Sequence, residues 1–164
     1  MIRSRLLHSA LSLSACLAAF ALVYAASTKL ADIAEFTRTL RLHHPGRAIS
    51  ENVALIVAGS EMLIGVAALW LVLSRRVAPA AFLTAVVFAA FGAYAASMSQ
   101  LPTPPKAGCG CGFSDGPMSI ADWRSLALIN SGIALSLAAI GWLSTRLLAP
   151  IAEEHSAPPT GAPA

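Results

Sequence analysis

The sequence predicts an all-α protein, an integral membrane four-helix bundle with a short interfacial amphipathic helix after the first span. Three observations predict it. Hydrophobic residues make up 57% of the 164 residues and charged residues only 12%, against about 25% charge in ordinary soluble domains. The apolar residues gather into four windows, at about 7–28, 53–74, 78–100 and 125–145. Each approaches the roughly 20 residues a helix needs to cross a hydrocarbon core about 30 Å thick. Finally, the windows hold one charged residue between them, Glu61, although the chain carries 11 basic and 8 acidic residues. Mid-bilayer charge costs about 2.5 kcal/mol or more, so exclusion of this kind marks a lipid environment.

The first window follows Arg3 and Arg5 and runs through Cys16 to Tyr24-Ala25-Ala26. A cleaved signal peptide would share the basic start and the small residues. Leu13-Ser14-Ala15-Cys16 also resembles a lipoprotein processing box, but the residues after Cys16 are membrane core rather than a polar tether. The window therefore reads as a retained helix, with Cys16 an inert thiol packed as a small hydrophobe.

In the connection that follows, Ile33, Phe36 and Leu40 recur at helical spacing, with Asp32, Glu35, Arg38 and Arg41 around them. This is the pattern of an amphipathic helix lying along the interface. His43-His44-Pro45-Gly46 ends it with turn chemistry. Adjacent histidines in a turn read as solvated, with a Cys/His metal site completed by Cys109 and Cys111 as the lesser alternative.

Arg75 and Arg76 separate the second window from the third, and Arg146 closes the fourth. Trp70 and Trp142 lie just inside the basic ends and Trp123 marks the opposite end of the fourth window, as an aromatic belt would. Small residues in Phe91-Gly92-Ala93-Tyr94-Ala95-Ala96-Ser97, and again at Ser131-Gly132 and Ala138-Ala139, permit close helix approach. Residues 1–148 thus form a single membrane domain, and 149–164, with Pro158-Pro159 and Gly161, read as a disordered cytoplasmic tail.

An even number of spans puts both termini on one side. The basic residues divide almost evenly between the two sides. The basic amino terminus and the Arg75-Arg76 pair in a very short loop favour termini in the cytoplasm. The segment 101–124 is then external, where disulfides persist. The basic residues are scattered over segment ends without a stripe, which argues against a nucleic-acid partner.

The external segment carries the first candidate chemistry. Gly108-Cys109-Gly110-Cys111-Gly112 sets two of only three cysteines one residue apart. Glycine between them lets the two Cβ atoms turn into disulfide range. So small a ring is strained, which raises the reduction potential and favours exchange over stapling. A structural disulfide and a metal-holding thiol pair are the competing readings. Ser119-Ile120-Ala121-Asp122 then fits a capping box that starts the last helix.

Glu61 is the second candidate. A carboxyl group roughly 12 Å inside a span at 1.5 Å per residue is either protonated or paired. Lys29 is the nearest plausible cation, and Asn130 lies at similar depth in the last span. Lys29, Glu61 and Asn130 are therefore expected to form a polar cluster beneath the cysteine loop. It serves either as glue between helices or as support for a proton step or a quinone, the one cofactor the sequence suggests.

These features resemble the methylamine utilisation protein MauE family, within the wider DoxX-like group of four-helix membrane proteins. The matching residues are Ser27-Thr28-Lys29-Leu30-Ala31-Asp32 with Phe36, Glu61-Met62-Leu63-Ile64-Gly65, the Cys109-Gly110-Cys111 loop and Asn130. The family loop commonly runs Cys-x-Cys-Phe-Gly, whereas Gly112-Phe113 follows Cys111 here, and Ile129-Asn130 stands where the family has Arg-Asn. The resemblance implies a multi-pass protein of the bacterial inner membrane that acts as a maturation factor in amine metabolism. Its partner would be a periplasmic thiol protein or the disulfide-rich small subunit of methylamine dehydrogenase, with Cys109 and Cys111 as the reacting pair. The alternative is a non-catalytic assembly or anchoring subunit whose Cys-x-Cys loop is only structural.

Overall fold

The computed structural model describes residues 2–44, 46–101, 103, 108 and 118–156, with side chains described from 6 to 146. Cys109 and Cys111, and residues 157–164 of the tail, lie outside the described residues. Five helices follow one another: α1 (Ile2–Ala31), α2 (Ile33–His43), α3 (Glu51–Leu73), α4 (Val77–Ser99) and α5 (Ile120–Ser156). No strand occurs among the described residues.

Four stretches are long and apolar enough to cross a bilayer: Leu6–Ala31, Glu51–Leu73, Val77–Ser99 and Ile120–Arg146. They coincide with the four windows to within a few residues at each end. Their outer faces carry exposed large hydrophobics such as Leu17, Phe20, Ile56, Leu63, Val86 and Leu135. Such a continuous apolar belt is unfavourable in water and matches lipid tails. The chain is a multi-pass membrane protein.

Local chemistry sets the helix boundaries. Asp32 separates α1 from α2, and its side chain accepts the Glu35 backbone N–H at 3.0 Å, satisfying one of the unpaired donors of the first turn. At the start of α5 the capping box forms: Ser119 N and Oγ donate to Asp122 Oδ2 at 2.8 and 2.7 Å, and Asp122 N donates back to Ser119 Oγ at 3.2 Å. The α3–α4 turn places Arg75 at φ +61°, a left-handed conformation that a non-glycine residue adopts at a small cost. The α5 helix continues to Ser156, past residue 148 where the sequence reading ends the membrane domain. Ala149, Ala152, Glu153 and Glu154 favour that continuation by propensity, against the cost of Pro150 within it.

Packing is pairwise. The α1 helix lies chiefly on α3, and α4 on α5, while α1 touches α5 far less. Each close pair depends on a glycine. A Cβ at Gly65 would come within 2.8 Å of Val23 Cγ2 and 3.1 Å of Val23 N on α1. At Gly92 it would meet Ser131 Oγ at 2.7 Å and Ser131 N at 3.2 Å on α5. Leu22, Phe88, Ala134 and Leu137 fill the centre between the pairs.

The apolar stripe of the amphipathic α2 rests on the bundle: Phe36 packs on Ala54 and Ala58 of α3, joined by Ile33 and Leu40. Glu35 and Arg38 on the other face form an exposed ion pair at 2.8 Å. Trp123 does not mark the aromatic belt, since it is completely buried among residues of α2 and α4. Trp70 and Trp142 remain outward, with the Arg146 guanidinium 5.4 Å from the Trp142 ring centre.

Candidate functional site

The last turn of α1 carries Lys29 inward, where it meets Glu61 from the middle of α3. The Lys29 Nζ donates to Glu61 Oε1 at 2.7 Å and to Oε2 at 2.5 Å. Both residues are buried, at 6% and 5% exposure. The ammonium also lies 5.3 Å from the ring centre of Phe36 and 5.1 Å from that of Phe91. A cation between two aromatic rings gains from their quadrupoles as well as from the carboxylate. The one charged residue inside the four sequence windows is thus neutralised by the cation at the end of α1.

Asn130 is buried and faces the same cavity. Its Nδ2 donates to the Leu126 carbonyl of its own helix at 2.8 Å. Asn130 therefore shares a wall with the ion pair, and its recorded bond is to its own backbone. This departs from a fully interlinked cluster because the carbonyl four residues back is always within reach of an inward polar side chain on a helix.

A second group of residues lies above this pair. His43, the last residue of α2, is buried at 2% exposure. Its Nδ1 is 2.7 Å from the Tyr94 hydroxyl of α4, and its Nε2 is 3.0 Å from the carbonyl oxygen of Gly108. A carbonyl only accepts, so Nε2 carries a proton; in the neutral ring Nδ1 then accepts from Tyr94. The imidazole stands edge-on to Trp123, with centroids 5.3 Å apart and planes at 80°. Tyr94 meets the same indole at 6.4 Å and 79°. The solvated-turn reading of His43 is corrected: packing of α2 on the bundle turns its last residue inward, and both ring nitrogens are engaged.

Both groups open on one cavity of about 940 Å³, near the upper end of the range typical for small-molecule sites. Its walls come from all five helices, and most are aliphatic or aromatic, including Leu22, Phe88, Phe91 and Ile133. Lys29, Glu61 and Asn130 form a polar patch on them, with His43 and Tyr94 nearer the loop end. Arg47 lies at the exposed rim.

Sequence reasoning thus reaches Lys29, Glu61 and Asn130 and misses His43, Tyr94 and Trp123. A signal for His43 is present: it continues the stripe of Ile33, Phe36 and Leu40 at the next helical step. Tyr94 and Trp123 carry no comparable signal, because an aromatic residue near the end of a span reads equally well as interface or interior. Cys109 and Cys111 lie outside the described residues, but the carbonyl held by His43 belongs to the residue directly before Cys109.

Among comparisons with known proteins, one family model matches, described as methylamine utilisation protein MauE, over residues 7–144. No curated protein and no solved structure matches the chain.

Proposed function

The chain belongs to the methylamine utilisation protein MauE family, and from that premise we propose that it is a thiol–disulfide maturation factor for an exported client protein. In this reading the protein lies in the bacterial inner membrane with cytoplasmic termini. Cys109 and Cys111 face the periplasm, and the client is a disulfide-rich protein such as the small subunit of methylamine dehydrogenase. The observation that carries the proposal is the bond from His43 to the Gly108 carbonyl. It ties the residue before Cys109 to a buried imidazole at the end of the cavity.

The reaction is an exchange. A client thiolate attacks one sulfur of the Cys109–Cys111 disulfide, and the other cysteine leaves as a thiolate. A second client thiolate then attacks the mixed disulfide, giving a client disulfide and two cysteine thiols. Two electrons pass from client to loop, and the two thiol protons of the client balance the two thiolates formed. The three glycines at 108, 110 and 112 support the backbone freedom this needs.

The test is the client-dependent redox state of the loop. Alkylation with a thiol-specific mass tag should find Cys109 and Cys111 oxidised before exposure to reduced client and reduced after it. Cys109→Ser and Cys111→Ser should each abolish client maturation and trap or lose the mixed disulfide. Maturation that persists in the double serine variant would instead assign the protein as an assembly or anchoring subunit.

A further inference from the structure

We propose that the cavity between the helices is a binding site for an isoprenoid quinone. The ring lies against the Lys29, Glu61 and Asn130 patch, and the tail leaves between α1 and α5. Binding stands on the cavity alone; its use as an electron acceptor rests on the thiol reading above.

The shape favours a lipid-soluble ligand. Ala18 and Ala21 of α1, and Leu126 and Ile133 of α5, line the cavity while remaining partly exposed, and Ile129 beside them is open to the outside. These two helices make little contact with each other compared with their main partners. The opening is therefore a lateral one, facing lipid rather than water. An aliphatic chain loses nothing by passing through it, and small alanine side chains leave it room.

The chemistry of the inner end favours a neutral ring with carbonyl acceptors. An ammonium has three N–H donors and an amide nitrogen two. Among the described residues, the bonds from Lys29 go to Glu61 alone and that from Asn130 Nδ2 to Leu126. Each therefore retains N–H capacity and lines the cavity. The charge of Lys29 is already balanced by Glu61, so an anionic head group would meet a carboxylate without a free cation. Arg47, the remaining strongly basic wall residue, lies at the rim rather than in the interior. Phe88, Phe91 and Tyr94 provide ring faces on which a planar head group stacks.

The site also completes a redox cycle. The two thiols of Cys109 and Cys111 form an S–S bond, releasing two electrons and two protons. A quinone takes both electrons and both protons at its two carbonyl oxygens and leaves as the hydroquinone. His43, bonded on one side to Tyr94 and on the other to the Gly108 carbonyl, spans the distance between the cavity wall and the loop. It acts here as a positioning residue for the Gly108 carbonyl.

The experiment uses the full chain in lipid nanodiscs with decylubiquinone as the probe. Trp123 lines the cavity whereas Trp70 and Trp142 face outward, so a Trp70→Phe/Trp142→Phe protein reports on the cavity by indole fluorescence. Saturable quenching by decylubiquinone is expected. It should weaken at least about tenfold in Ala21→Phe, which fills the wall of the opening, and should be unchanged in Ala90→Phe, which adds the same ring on an exposed face of α4. Both variants are checked for unaltered thermal unfolding, and Ala18→Phe replaces Ala21→Phe if the latter unfolds early. Non-saturable quenching, equal affinity in the filled and control variants, or displacement of the probe by phosphatidylglycerol would overturn the proposal, the last result assigning the cavity to a phospholipid. Binding in the Cys109→Ser/Cys111→Ser protein should match wild type. A quinone site with unreactive thiols, and reactive thiols without a quinone site, are therefore separate outcomes.

Discussion

Removing one member of the Lys29–Glu61 pair should destabilise the bundle far more than removing both. The two groups are about 95% buried and touch at 2.7 and 2.5 Å. At an effective dielectric constant of about 20, charges about 4 Å apart attract by about 4 kcal/mol. That attraction offsets a desolvation penalty of several kcal/mol per ion, so the intact pair adds little net stability. Glu61→Gln leaves the ammonium buried without a counter-charge, and Lys29→Met leaves the carboxylate so. Each is expected to cost about 3–5 kcal/mol. Lys29→Met/Glu61→Gln removes both charges and should recover most of that loss, giving a coupling energy of at least about 4 kcal/mol, above the range usual for residues in direct contact. The assay is reversible unfolding in mixed micelles by increasing SDS, followed by helical circular dichroism for the four proteins. Single variants as stable as wild type, or a double variant as unstable as the sum of the singles, would show that the pair is neither desolvated nor coupled. Loss of client maturation in a well-folded double variant would separately indicate that the charges serve function rather than packing.

Three further outcomes follow from the same geometry. Gly65→Ala and Gly92→Ala force helices apart at backbone atoms and should each cost about 1–3 kcal/mol, whereas Gly59→Ala and Gly132→Ala, whose new Cβ meets nothing within 4 Å, should be neutral or mildly stabilising in the same micelle titration. Tyr94→Phe leaves the buried Nδ1 of His43 without the hydroxyl now 2.7 Å away; a loss of about 1–3 kcal/mol and faster backbone exchange at Gly108 by mass spectrometry are expected, and unchanged exchange would argue that His43 does not hold the loop. Asp122→Ala removes the acceptor of the capping box and should cost about 0.5–2 kcal/mol, visible as fraying at the start of α5 in hydrogen exchange.

The correspondence between sequence and structure is uneven for physical reasons. Helix propensity, caps and the cost of a charge in lipid are local, so the four spans, the Asp32 break and the Ser119–Asp122 box can be read from neighbouring residues. The Lys29–Glu61 contact is legible for a related reason. A single in-span carboxylate requires a cation, and few candidates lie near its depth. The inward turn of Trp123 and the partners of His43 are different, because each depends on contacts with residues remote in the chain. His43 reaches Tyr94 across 51 positions and Gly108 across 65.

The sequence by itself determined a membrane bundle, the approximate positions of its four spans, its family and the one charge that needs a partner. Only the tertiary structure decided which faces of α3 and α4 turn inward, because helices that are apolar all round carry no stripe to mark the core. Those rotations follow instead from where Gly65 and Gly92 let backbones approach, in a medium where lipid tails and side chains are equally apolar and close packing directs association. The cavity is the consequence. It lies where α1 and α5 fail to close on each other, and it brings an ion pair and an imidazole to the same space.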